Sequence, residues 1–147
     1  MSIRRAVEYN MKVRIEPSFQ GSDYQVVESL RQAERPLPAI ILVAGDATPA
    51  YDIGDYTGNY NVPFNIVIFS NVDKQTVDQH NNVVQSIIGI MRDPATRMQS
   101  VIQGLYLYAI HSDGIMEENA DRKMGTILAF TAVVNYAPDL TPDPQGS

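Results

Sequence analysis

The longest stretch of apolar positions lies in the middle of the chain. Residues 62–69 place apolar side chains on both parities of an extended run, which is typical of a β-strand buried on both faces. Thr76 then fits a capping box, in which its hydroxyl accepts a hydrogen bond from the backbone N–H of Gln79. Apolar positions recur every three or four residues over 77–91, and Pro94 follows. This pattern predicts a central strand followed by a long amphipathic helix.

Two helices are predicted before that strand. Apolar residues step by four over 3–15 and favour a helix, although the alternation over 11–15 would also suit a strand. Residues 22–25 form a second capping-box pattern, and apolar positions from Tyr24 to Ala33 follow it at helical spacing. We therefore expect a short second helix that ends near Pro36.

A first strand and a long connection separate these helices from the central strand. Residues 39–43 are branched and apolar, which predicts an inner strand. Residues 45–61 are rich in glycine and proline and include Tyr51, Tyr56 and Tyr60. The tyrosine rings could pack over a sheet edge. They could also form a subunit contact, because tyrosine is enriched at interfaces.

The C-terminal third predicts a strand pair. Residues 95–103 could add one or two helical turns, and the runs 105–110 and 126–136 have strand composition. The link over 112–125 is too long and too charged for a tight hairpin, so we expect it to project into solvent or onto a neighbour. Residues 138–147 contain three prolines and predict an extended, mobile tail.

The predicted order is helix, helix, strand, long loop, strand, helix, strand, strand. Because the strands come as two pairs with one long helix between them, the fold class is α+β. The expected architecture is a mixed or antiparallel four-stranded sheet with helices mainly on one face and a long projecting hairpin. We expect one domain over residues 1–137, followed by the tail at 138–147.

Composition limits the classes of function. The chain has no cysteine, which excludes disulfides and thiolate chemistry, and its net charge is −6. No lysine or arginine occurs between Arg35 and Lys74, whereas Asp46, Asp52 and Asp55 lie there, so tight DNA binding is not expected. Neither a signal peptide nor a membrane span is apparent, and we expect a cytoplasmic, unprocessed protein without a membrane partner.

The candidate chemistry is weak. His80 and His111 match no metal motif and are better explained as structural residues. Ser70 has no activating base among its chain neighbours, and residues 44–48 lack the spacing of a phosphate-binding loop. We expect no catalytic residue, no metal and no cofactor.

Several segments together carry a family resemblance. They are residues 35–41 entering the first strand, 62–68 in the second, 78–81 at the start of the long helix, and the late hairpin. Over residues 20–137 the chain resembles the tail terminator or tail completion (neck) proteins of tailed bacteriophages. The resemblance implies a structural, non-enzymatic virion protein, assembled in the host cytoplasm. Such a protein forms a ring, usually a hexamer, on the end of the tail tube and contacts the tail tube protein and the head connector or neck proteins.

The ring hypothesis assigns roles to particular residues. The subunit interface would use Tyr51, Tyr56, Tyr60, Asp113, Glu117, Glu118, Asp121, Arg122 and Lys123. Asp46, Asp52 and Asp55 would line a channel through which DNA passes without specific binding, because like charges repel the duplex. The alternatives are a head-side neck (head completion) protein, or a small ligand-binding or enzymatic α+β domain.

Overall fold

A mixed β-sheet with both α-helices on one face forms the framework of the protein. The computed structural model describes residues 1–29, 38–50, 59–93 and 100–137. In chain order the elements are α1 (Ile3–Ile15), a 3-10 turn (Glu16–Phe19), β1 (Gln25–Glu28), β2 (Ala39–Ala44), β3 (Thr48–Pro49), β4 (Asn59–Asn71), α2 (Val77–Arg92), β5 (Leu105–Glu117) and β6 (Lys123–Tyr136). The α+β class predicted from the sequence is confirmed.

Within the described residues, the sheet has six strands rather than the four expected. Its order is β1-β2-β4-β6-β5, and β3 also pairs with β4. β1 runs parallel to β2, and all other pairs are antiparallel. The two strands missed from the sequence are the four-residue β1 and the two-residue β3, which are too short to carry a periodic signal.

β1 replaces the predicted second helix. The Ser22 hydroxyl does not cap a helix; it accepts a hydrogen bond from the Tyr24 backbone N–H at 3.2 Å and closes a local turn. Val26 and Val27 then pair with Ile40 and Ile41 of β2. β-branched side chains fit this pleated, buried surface better than an isolated helical turn. The predicted continuation over residues 30–36 lies outside the described residues.

Most of the link over 112–125 is paired strand. β5 extends to Glu117 and β6 begins at Lys123, so residues 118–122 alone form the turn. Register shifts between Leu107 and Ala109, and again between Ser112 and Gly114, keep β5 paired along its length. β4 runs alongside β6 as far as this turn, so the structure does not support a hairpin that projects beyond the sheet.

The helices match their predicted positions closely. In α1 the Ser2 hydroxyl accepts from the Arg5 backbone N–H at 3.2 Å, and in α2 the predicted capping box between Thr76 and Gln79 is complete. Both helices contribute to the main core, with Met11 of α1 among its buried side chains. Val77 differs from its predicted inward position and is 63% exposed, because it lies in the first turn of α2, beyond the sheet.

Two further predictions are corrected. β4 is fully buried on the helix side only, because Val67 and Phe69 on its other face are half-buried. Residues 100–103 are not helical, and Val101 is 45% exposed. Residues 94–99 and the predicted tail lie outside the described residues.

We expect alanine to have opposite effects at two glycines. A Cβ at Gly125 would meet the Glu118 carbonyl and lie 2.8 Å from a Phe69 ring carbon. Gly125→Ala should therefore cost about 1–3 kcal/mol of unfolding free energy through overpacking. A Cβ at Gly89 meets nothing within 4 Å, so Gly89→Ala should stabilise α2 by roughly 0.5–1 kcal/mol. Chemical denaturation measures both changes, and a neutral Gly125→Ala would contradict the close contact.

Candidate functional site

Part of the predicted subunit interface lies on the β5–β6 hairpin. Asp113 is exposed on β5 and accepts a hydrogen bond from the Thr131 hydroxyl at 2.6 Å. Arg122 adopts a positive φ of 60° in the turn and pairs with Asp73 at 3.5 Å. The Lys123 ammonium lies 4.3 Å from the centre of the Phe69 ring. Several of these groups already have partners within their own subunit.

The other predicted interface residues are spread over the molecule. Glu117, Glu118 and Asp121 are exposed at the hairpin end. Tyr60 is half-buried, packs against the main core and pairs across β4–β6 with Val134. Tyr60 therefore belongs to a strand that is paired on both sides, whereas the prediction placed its ring in a loop over a sheet edge. Tyr51 and Tyr56 lie outside the described residues.

The acidic residues predicted for a channel and for the hairpin do not form one cluster. Asp46 has a 93% exposed side chain and pairs with Arg4 at 3.5 Å. It lies near Asn61 and Pro63, whereas the hairpin turn lies beyond Asn71, at the other end of β4. Asp52 and Asp55 lie outside the described residues, and the channel remains a prediction.

A buried polar network joins β4, α2 and β6. The Ser70 hydroxyl lies 2.6 Å from Nδ1 of His80, and Nε2 of His80 lies 2.8 Å from the Thr126 hydroxyl. The Tyr24 hydroxyl also hydrogen-bonds to Ser70. A neutral imidazole fits this arrangement, because one ring nitrogen donates while the other accepts. The sequence neighbours of Ser70 did not indicate that His80 is its partner, because His80 lies ten residues later, on α2.

This network has a structural role. Ser70 is 0% and His80 is 4% exposed, so a substrate cannot reach a Ser–His pair at this position. The third partner is a threonine hydroxyl, where an activated serine would need a carboxylate. Burial lowers the pKa of His80, against a smaller opposing effect of Glu117, and burial raises the pKa of Tyr24. Both groups are held in their neutral forms.

A second buried polar group fixes α1 to the sheet. The Glu8 carboxylate is 3% exposed and accepts from the Ala44 backbone N–H at 2.8 Å. It also accepts from the Ser29 hydroxyl at 2.9 Å. Arg4 on the same helix donates to the Ala44 carbonyl at 2.9 Å. These bonds position the end of β2.

An apolar cavity of about 200 Å³ lies between the C-terminal half of α2 and the β5–β6 pair. Its lining is mostly aliphatic and aromatic, with one charged residue, and consists of Ile88, Met91, Arg92, Ile110, Ser112, Gly114, Ile115, Leu128 and Phe130. The described residues contain no group of three His, Asp or Glu side chains placed to hold a metal ion. The cavity therefore offers shape and apolar surface but little catalytic chemistry.

The sheet face opposite the helices carries little charge. Asp113 of β5 lies at its edge, where its carboxylate accepts a hydrogen bond from the Thr131 hydroxyl. We call this face the outer sheet face; its positions on β4 and β6 point away from the buried side chains of the helix-side core. They are Asn61, Pro63, Asn65, Val67, Phe69, Ile127, Ala129, Thr131, Val133 and Asn135. Lys123 at the hairpin end is the single charged residue on β2, β4 and β6. Neither described α-helix contributes to the small apolar cluster on this face.

Exposed apolar side chains border this face on β5. Tyr106, opposite Asn135, is 63% exposed, and Met116, opposite Ile127, is 58% exposed. Large uncharged surfaces of this kind mark interaction sites, because charged residues are depleted in the centres of interfaces. This uncharged surface could have been recognised from the sequence, because the outward positions of both β4 and β6 are amides, hydroxyls and apolar groups.

Comparison with known proteins gives a match of fold and none of sequence family. No protein-family model matches the chain, and no curated protein matches it either. One similar solved structure is a chain of the "Virion of native gene transfer agent (GTA) particle". It has a TM-score of 0.62 and 14% identity and covers 88% of this chain and 95% of that one. The structure of bacteriophage SPP1 gp17 protein gives a TM-score of 0.46 at 14% identity, covering 89% of this chain and 90% of that one.

The GTA match shows a shared fold. The protein thus has the α+β architecture of a chain found in the gene transfer agent virion. Neither α-helix in the described ranges has the length and apolarity that crossing a membrane would require.

Proposed function

We propose that the protein is a structural component of a tailed-phage or phage-like virion. In this proposal it acts as a tail terminator, at the head-proximal end of the tail tube, and joins the tube to the head connector. The observation that carries the proposal is the fold shared with a gene transfer agent virion chain over 88% of this chain. The near absence of charge on the outer sheet face supports an assembling protein, because such a surface is suited to a partner.

The proposed working form is a hexameric ring of identical subunits. A ring needs two different complementary surfaces on each subunit. The hairpin end, with Glu117, Glu118 and Asp121 exposed, is available for contacts with the tube or with a neighbour. Asp46, with Asp52 and Asp55, would line the channel, where negative charge lets DNA pass without retention.

A ligand-binding domain is the second candidate, and the apolar cavity beside α2 favours it. Its volume of about 200 Å³ is below the range usual for drug-sized ligands. The buried Ser70–His80 pair adds no accessible chemistry to it. A structural function therefore explains more of the surface than an enzymatic one does.

The proposed function is tested by deleting the gene for this protein and examining the particles that are then produced. A terminator stops tube growth, so its loss should give filled heads, no joined particles and tails of abnormal length in electron micrographs. Complementation with the wild-type gene is the control. Unjoined tails of normal length would place the protein on the head side of the neck. Infectious, fully joined particles in its absence would overturn a neck function altogether.

A further inference from the structure

Helix α2 has an unusually uncharged outer surface. From Gln79 to Met91 it contains no Asp, Glu, Lys or Arg, although the chain carries 28 such residues. Asn82, Gln85, Ser86 and Gly89 are exposed on the side that faces away from the core. A solvent-exposed helix face ordinarily carries charged side chains. This surface, which we call the outer α2 face, therefore resembles the outer sheet face in its lack of charge.

The outer sheet face limits what can cover it. Between Asp113 at its β5 edge and Lys123 at the hairpin end, it offers amide, hydroxyl and apolar groups. A surface with many charges packed on it would therefore bury most of them without counter-ions. The exposed side of α1 carries Arg4 and Arg5, and the hairpin turn carries Asp121 and Arg122. Among the surfaces of the described residues, the outer α2 face meets the requirement, because its amides can pair with those at Asn65 and Asn61.

The two surfaces lie on opposite sides of the sheet. α2 packs on the face that holds Ile66 and Leu128, whereas Asn65 and Ala129 point the other way. One copy can therefore offer its outer α2 face to one neighbour and its outer sheet face to another at the same time. Such head-to-tail contacts close into a ring or propagate as a filament.

We propose that the outer sheet face of each copy is covered by the outer α2 face of a second copy. Successive copies would then stack helix on sheet, which is how α+β layers bury a sheet face within a single domain. The inference deepens the proposed function, on which it rests, by naming the two surfaces that join neighbouring subunits.

Site-directed cross-linking tests this contact, since the natural chain has no cysteine. One protein carries Asn65→Cys on the outer sheet face, and another carries Ser86→Cys on the outer α2 face. After the two are mixed and treated with a short bismaleimide, we expect a covalent dimer that neither protein gives alone. Ser18→Cys, exposed on the 3-10 turn away from both surfaces, replaces Ser86→Cys in the matched control and should give none.

The possible results separate this contact from the proposed function. Oligomers that form without the mixed cross-link would overturn the helix-on-sheet contact and leave the neck function standing. Cross-linking of Asn65→Cys to itself would indicate a face-to-face dimer and would also overturn it. A wild-type chain that sediments as a monomer at its highest soluble concentration would overturn it as well. The experiment in which particles are produced without this protein tests the neck function independently.

A charge substitution gives a second measurement. Ala129→Lys places an ammonium in the middle of the outer sheet face, where the half-buried side chain tolerates it in the monomer. We expect the dissociation constant for self-association to rise at least about tenfold, with cooperative unfolding retained. Ser18→Lys is the control and should assemble like the wild type. Unchanged assembly of Ala129→Lys would contradict the contact.

Discussion

Ile87→Asp is expected to abolish the cooperative native state. Ile87 is 0% exposed and lies in the main core, where α2 faces the sheet. Aspartate at this position loses the buried apolar side chain and places a carboxylate among the apolar side chains of the core. Together these changes cost several kcal/mol, on the order of the whole stability of a domain of this size. Circular dichroism and thermal melting should show an unfolded or aggregated protein.

The matched control for this variant lies two residues earlier on the same helix. Gln85 is exposed, so Gln85→Asp introduces the same carboxylate without burial. It should change the unfolding free energy by about 0.5 kcal/mol or less. A soluble Ile87→Asp protein that melts cooperatively near the wild-type temperature would contradict the packing of α2 on the sheet.

Sequence periodicity predicted α2 well because its signals are local. The capping box requires two side chains three residues apart, and both hydrogen bonds are present. The apolar pattern predicted a broad inward face, but it could not identify which residue lies at its centre. Ile87 is fully buried and Ile88 is only half-buried beside the cavity, a difference set by the helix's rotation on the sheet.

Strand β1 was mispredicted because the same residue types begin helices and make turns. Serine at position 22 can bond the backbone of a first helical turn or of a local bend, with similar geometry. The pairing of Val26 with Ile40 decides between them, and that contact joins segments fourteen residues apart. The charged segment after Ser112 was predicted as a loop, but it continues β5 as far as Glu117. Its strand conformation also depends on a long-range contact, the pairing with β6.

The candidate sites depend even more on long-range contacts. The sequence offers Ser70 and His80 as separate polar residues, and only the turn between β4 and α2 brings them within 2.6 Å. The sequence shows that alternate positions of β4 and β6 are uncharged, but it could not show which side of the sheet the two described helices cover. Residues 51–58, which carry much of the predicted interface and channel, lie outside the described part of the chain.

His80→Gln is expected to destabilise the protein and to change how its stability depends on pH. His80 bonds two hydroxyls at once, and a glutamine amide at this position cannot reach both Ser70 and Thr126 with the same geometry. Leaving a buried hydroxyl without its partner costs about 1–3 kcal/mol of unfolding free energy. Chemical denaturation near neutral pH should show this loss. A His80→Gln protein as stable as the wild type would contradict the network.

The pH dependence follows from the lowered pKa of His80. The unfolded chain binds a proton near the ordinary histidine pKa of 6.5, whereas the buried imidazole binds it only at lower pH. Below pH 6.5 the unfolded state therefore holds more protons, and wild-type stability falls as the pH drops towards the native pKa. Thermal melts from about pH 7.5 to about pH 5 should show a smaller decrease for His80→Gln than for the wild type. Equal profiles for wild type and His80→Gln would show that His80 is not held neutral.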